Sequence, residues 1–190
     1  MTLAKTSGLF GVKECQIATM TADVVGSATT YAAALDVPGI KAVKFDPNVK
    51  SVDNKGDEVI LDTEENTEYI DVSFENAEVS LDVIAAINGG TVTTSGTAET
   101  EKNVYMYAGT QTSSYFKLFI KPKRGDTVAG IDDVLFELFK VRGTLSVTPV
   151  SEGWATCSFK GKGIRTKGTV DSTAAALYRI TYAADTITIA

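Results

Sequence analysis

Histidine is absent from all 190 residues of the chain. That absence removes Ser-His-Asp and Cys-His catalysis, histidine metal sites and the usual proton shuttle near neutral pH, so an ordinary hydrolase or metalloenzyme is not expected. Long hydrophobic runs are missing too, and nothing approaches the roughly 18 unbroken apolar residues of a membrane-spanning helix. Cysteine is scarce: Cys15 and Cys157 match no CxxC or zinc spacing. They read as two separate reduced, buried thiols rather than as a disulfide. The opening MTLAKTSGLFGVKECQ has no continuous apolar stretch and no small-residue cleavage pattern. No secretion signal is expected, and synthesis in a cytoplasm is the default. With 24 acids against 18 bases the net charge is −6. A nucleic-acid reader needs a concentrated basic face, although an acidic protein can surround DNA without gripping it.

What is present points to one globular, mainly β domain. The chain is 44% apolar and 22% charged, too hydrophobic for disorder. Its length allows roughly 70% of the unfolded surface to be buried in one core. Only four prolines and an abundance of threonine and other β-branched residues favour strands. Period-two alternation agrees: Ile70, Val72 and Phe74 point one way, with Glu68, Asp71, Ser73 and Glu75 at polar or flanking positions. The pattern returns at Leu145 and Val147, at Ala155, Cys157 and Phe159, at Tyr178, Ile180 and Tyr182, and at Ile187 and Ile189. One stretch departs from it, because Leu81, Ile84, Ala85 and Ile87 form a helical stripe. Ser80 is placed to cap the start of that two-turn helix, Asp82 to favour its dipole and Gly89 to end it. The polar runs 21–30, 91–100 and 108–114 read as surface loops, and no internal repeat is found.

Charge is unevenly spread. Residues 46–82 hold twelve acids against Lys50 and Lys55, whereas residues 117–179 hold eleven bases against six acids. Opposite poles allow head-to-tail association, and a solvated acidic hairpin with scattered surface lysines explains the same counts. At the centre of the acidic stretch, Asn54-Lys55-Gly56 supplies turn chemistry between two polar arms. A ribbon of that kind is poorly buried by its own domain, so it flexes or docks on a neighbour.

Sequences that suggest chemistry fail in detail. Gly163-Ile164-Arg165-Thr166-Lys167-Gly168-Thr169 looks like a phosphate loop, but no lysine follows the second glycine and the flanks read as strands. Gly161-Lys162-Gly163 opens a dinucleotide fingerprint, yet Thr166 stands where the third glycine belongs, and a hairpin bend is the better account. The Asp53–Glu58 cluster lacks the ligand order of a calcium loop, leaving at most a weak adventitious cation site. Neighbouring carboxylates such as Glu64-Glu65 and Asp132-Asp133 face opposite sides of a strand and cannot share a proton, so surface solvation is their expected role. Only Trp154 is available to stack on sugars. No enzymatic activity, metal or cofactor is expected. The runs Tyr115–Ile120 and Val134–Val141 carry large apolar residues on both faces, which fits a central strand or a strand lying against another subunit.

The order of these features resembles the bacteriophage major tail proteins, the tail tube proteins of long non-contractile tails. The likeness runs over nearly the whole chain: FGVKECQIATMT, YAAALDVPGIKAVKF, the acidic excursion, ENAEVSLDVIAAINGGTV, SSYFKLFIKPKR, and then FELFKVRGTLSVTPVSEGWATCSFKGKGI with a β-rich end. It implies a β-sandwich or half-barrel with one short flanking helix at about 81–88 and a long protruding loop or hairpin at about 44–69. Six-membered rings would join their inner sheets into a barrel and stack into a tube. The candidate inter-subunit loop is then Asp53, Asn54, Lys55, Gly56, Asp57 and Glu58, and Leu81, Ile84, Ala85 and Ile87 would pack the helix outside the inner sheet. Double-stranded DNA would pass through the bore without specific binding, which also holds the tape-measure protein, and a tail terminator is a further partner. The location implied is the virion tail, assembled in the cytoplasm of a bacterial host, with no membrane involved. No immunoglobulin-like domain is appended after residue 150, so surface adhesion is not implied. The alternatives are a tail terminator or head-tail joining ring, the inner tube of a contractile injection particle, and a monomeric carbohydrate-binding β-sandwich using Trp154.

Overall fold

A computed structural model describes residues 9–56, 59–78, 80–124, 133–149, 155–183 and 185–189. The fold is mainly β with one short helix. Strand β1 (Leu9–Ala22) is followed by the short β2 (Thr30–Tyr31) and β3 (Leu35–Asp36), and then by a long hairpin of β4 (Ile40–Gly56) and β5 (Val59–Asn76). Helix α1 (Leu81–Asn88) leads into a small hairpin of β6 (Thr91–Ser95) and β7 (Lys102–Met106). The long strands β8 (Phe116–Arg124), β9 (Asp133–Thr148) and β10 (Thr156–Gly163) come next. A second small hairpin, β11 (Thr169–Val170) and β12 (Thr173–Ala174), precedes β13 (Tyr178–Ala183).

Among the described residues nine strands form one sheet in the order β2-β1-β8-β9-β10-β5-β4, with β13 added to β9 and β3 to β1. Strand β9 is its spine. Along one edge it takes β8, from Phe116 opposite Val141 to Ile120 opposite Phe136. Along the other it takes β13 up to Leu138 and β10 from Val141 onward. Strands β1 and β4, from opposite ends of the order, come into contact. The sheet is therefore rolled around its inner face as a half-barrel, rather than split into the two sheets of a sandwich.

Inside the roll the alternating apolar residues meet. Ile17, Ile70, Val72, Phe74, Phe116, Leu118, Leu138, Val141 and Phe159 are buried in one cluster. The Phe159 ring stacks on Phe74 at 4.7 Å and meets Phe116 edge-on at 5.6 Å. Close approach of the strands beside this cluster requires Gly143 and Gly161, which lie opposite each other on β9 and β10. A Cβ on Gly161 would come within 2.5 Å of both the Arg142 carbonyl oxygen and the Phe159 ring, and one on Gly143 would collide with the Lys160 carbonyl. Gly161-Lys162-Gly163, expected as a hairpin bend, lies inside a strand instead, where Gly161 admits that close approach.

Helix α1 begins where Ser80 Oγ accepts the Val83 amide at 3.4 Å. It ends at Gly89, whose φ of 81° admits glycine readily and whose N–H donates to the Ala85 carbonyl at 3.0 Å. Eight residues are too few to hold a helix in water, and packing supplies the rest. Ile84 and Ile87 are buried as expected and Leu81 packs partly, but Val83 is buried where Ala85 was expected to be. The helix lies against β9 and also touches β1, β3, β6 and β7, so it buries a broad arc rather than one stripe. Asn88 closes the exposed edge of β9, donating to the Leu145 carbonyl at 2.8 Å and accepting the Leu145 amide at 2.7 Å.

Three other local expectations change. The polar run 91–100 contains β6, Val147 is 42% exposed, and Ile187 and Ile189 belong to no strand. Those two isoleucines instead pack on the outer face of the sheet with Tyr31 and Ala34, covering Ala18, Phe119 and Leu135. The chain thereby buries both faces of the double-sided runs in β8 and β9. Cys15 and Cys157 are free and buried, and burial pushes both thiols up in pKa, away from the reactive thiolate. Replacing Gly161 with Ala should lower stability by about 2 kcal/mol, read as a lower urea midpoint with unchanged slope.

Candidate functional site

The outer part of the β4–β5 hairpin runs on beyond the strand next to it. Strand β10 stops at Gly163, opposite Ile70. The hairpin continues, from Asn48 opposite Tyr69 to Gly56 opposite Val59. Among the described residues each arm there has only the other as a strand partner, and the outer edge of the 17-residue β4 carries no strand. At the base Ile70, Val72 and Phe74 enter the core, whereas beyond it Val49, Lys50, Glu64, Glu65, Asn66 and Glu68 are exposed. The base itself is fixed: Arg165 donates to Asn66 Oδ1 at 2.6 Å and to the Thr67 carbonyl at 3.3 Å. Lys162 Nζ sits 3.8 Å from the Tyr69 ring centroid.

Of the candidate loop residues, Asp53, Asn54, Lys55 and Gly56 lie in β4, and Asp57 and Glu58 lie outside the described residues. Asn54-Lys55-Gly56 does not make the turn expected of it. Asn54 stands opposite Asp62, Lys55 opposite Ile60 and Gly56 opposite Val59, with a register shift between Asn54 and Lys55. The extra residue at that shift is Leu61 on β5, so the bulge lies in the facing arm and the triplet continues β4 as strand. Trp154 also lies outside the described residues.

A second surface adjoins the ribbon. The outward faces of β4, β5, β10 and the far half of β9 present Lys44, Asp46, Asp71, Glu75, Lys160, Lys162, Thr144 and Ser146, all exposed. Lys44 pairs with Asp46 at 2.7 Å, and Lys162 stands opposite Asp71. This face is polar, of mixed sign and hollowed by a shallow depression of about 410 Å³ between Lys44 and Lys162.

The basic stretch does not form the opposite pole that the charge counts suggested. Three of its lysines, Lys121 and Lys140 buried and Lys117 partly so, are neutralised on the far side of the sheet: Lys117 by Glu137 at 2.8 Å, Lys140 by Asp23 at 2.5 Å, and Lys121 by Glu14 and Asp133 at 3.3 and 3.5 Å. Asp133 is itself buried, not a solvated surface acid, while its neighbour Asp132 lies outside the described residues. Glu137 also binds Arg179 at 2.5 Å, and Lys117 lies over the rings of Phe119, Phe139 and Tyr31. The loop that looked like a phosphate cradle does hold an anion, one supplied by the chain. Asp23 Oδ1 accepts the amides of Lys167 and Gly168 at 2.7 and 2.8 Å. Sequence reasoning missed these pairs, although lysine and glutamate embedded in the runs YFKLFI and VLFELFKV were their signal. A charge within a two-sided apolar run must find a partner.

The chain matches no family model and no curated protein. Among the described residues no group of three or more potential ligands is placed to hold a metal, and no helix is long and apolar enough to cross a membrane. The ribbon and the open sheet face are thus the surfaces that stand out.

For Asp23 and Glu137, burial works to raise the pKa, but the cations and amides around them prevail and hold both carboxyls below the usual range. A lowered folded pKa means stability that is present at neutral pH and lost as pH falls below about 4. Glu137→Gln should cost about 2 kcal/mol at pH 7 by leaving the partly buried Lys117 and Arg179 without their shared counter-charge. The same variant should show a shallower loss on acidification, measured as thermal midpoint against pH.

Proposed function

We propose that this chain is a structural subunit that closes into rings and stacks into a tube, the tail tube of a long-tailed bacteriophage. The observation that carries the reading is the ribbon beyond Ile70, a long pair of strands that among the described residues have only each other as strand partners. A two-stranded ribbon is marginally stable alone in water, and a free edge is a template for another chain. A contact made by such a protrusion on a different surface of a neighbour is heterologous, and heterologous contacts give rings where the rotation closes and open filaments where it does not. The resemblance in feature order supplies the six-fold ring and the stacking. Its expectation that DNA passes without being held is supported by the open face, where Lys44, Lys160 and Lys162 are balanced by Asp46, Asp71 and Glu75. Gripping phosphates requires an excess of bases that this face does not offer. Tape-measure protein in the bore, a terminator at the end and a place in the virion tail belong to the same proposal, which involves no catalysis.

Negative-stain electron microscopy with light scattering over a concentration series tests it. The full chain should give hollow rings and tubes of uniform diameter. A variant with residues 51–65 replaced by Asn-Gly should keep its circular dichroism and thermal midpoint, since the core is untouched, and should stay monomeric. Rings that never elongate would favour a terminator or joining ring. A monomer at every concentration, or tubes from the shortened variant, would overturn the assignment of the ribbon.

A further inference from the structure

A seat for an extended segment is built into the face of β1, β8 and β9 that points away from the main core. Residues 185–189 lie across it without belonging to any strand. Both backbone groups of Ile187 are bound by side chains rather than by a strand ladder: its N–H donates to Asp133 Oδ2 at 3.0 Å, and its carbonyl accepts from Lys121 Nζ. Those two side chains are 6% and 5% exposed. They are also held independently of the segment, because Lys121 bridges Glu14 and Asp133, and Asp133 Oδ1 accepts the Val134 amide at 3.1 Å. An apolar patch completes the seat. Ile187 and Ile189 pack on Ala18, Phe119 and Leu135, while Asp185, Thr186 and Thr188 face solvent.

We infer that residues 185–189 are a detachable strand, that the clamp of Lys121 and Asp133 with its apolar patch is their receptor, and that the receptor takes the same segment from a second copy of the chain. Recognition rests on one residue's backbone and two isoleucines spaced two apart, and nothing in it requires the segment to come from the same chain. Segments without ladder hydrogen bonds open at low free-energy cost, whereas the receptor is part of the central strands and stays formed. Asp133 is also the last partner of β13, opposite Ala183, so only a short connection leads from the sheet edge to the seat. Short connections of this kind favour exchange between copies. The inference does not depend on rings or tubes.

The test uses a chain ending at Ala183 and a fluorescent synthetic peptide of residues 184–190, read by anisotropy. Saturable capture is expected, weakened about tenfold or more when the peptide carries Ile187→Ser and Ile189→Ser. A folded shortened chain that captures neither peptide, or both equally, overturns the receptor. Should the shortened chain not fold, the full chain bearing Ile187→Ser and Ile189→Ser, its own segment released, takes its place. If that too is unfolded, the segment is an integral part of the core and the proposal fails. For the second copy, the shortened chain is mixed with an Asp133→Ala chain that keeps its segment but not its clamp, both in the ribbon-shortened form. Native mass spectrometry should show a one-to-one pair, and its absence overturns exchange.

Discussion

The Phe159 ring packs on Phe74 and Phe116 beside a place where two facing residues, Gly143 and Gly161, carry no side chain. A Cβ at either position would collide with the facing strand, so the pairing of β9 with β10 at this point depends on both being bare. The rest of the sheet is arranged around that pairing. Helix α1 has an interior to enter with Val83, Ile84 and Ile87. The outer face of β5 and β10 is left uncovered. The β4–β5 hairpin, longer than any strand beside it, runs on past the edge of the roll.

Electrostatics act on the opposite face. The lysines and carboxylates buried along β8 and β9 are costly to desolvate, and each is satisfied by a partner far off in sequence. Lys140 and the 167–168 amides hold Asp23, which ties the segment after β1 to the loop after β10. Glu137 holds Lys117 on β8 and Arg179 on β13, setting both neighbours against β9. Buried pairs of this sort fix alignment more than they add stability. Their consequence for the surface is that part of the basic charge, at Lys117, Lys121 and Lys140, is consumed inside.

The two outward features complement each other. Among the described residues the outer arms of the ribbon have only each other as strand partners, and on the polar sheet face Lys44, Lys160 and Lys162 are matched by Asp46, Asp71 and Glu75. Both cysteines are buried, and the ion pairs of Lys117 with Glu137 and of Lys140 with Asp23 are structural.

What the sequence by itself determined was whatever depends on near neighbours. Ile70, Val72 and Phe74 alternate into one face; Ser80 and Gly89 bound a helix over Leu81–Asn88; the acidic arms around Asn54 make an exposed hairpin. These follow from repeats of two and 3.6 residues and from the chemistry of single caps. Other features were decided only when distant parts of the chain met. Asn54-Lys55-Gly56 became strand rather than turn because each residue found a partner on β5, with Leu61 left over as a bulge. Gly161 became a point of close strand approach because Gly143 lies opposite it. Asp133, expected in solvent, became the clamp for Ile187, and the 163–169 loop received Asp23 from 145 positions away. Periodicity is written residue by residue, but the partner of a buried charge or of a missing side chain is chosen by which strands come to lie side by side, and that choice exists only in the folded chain.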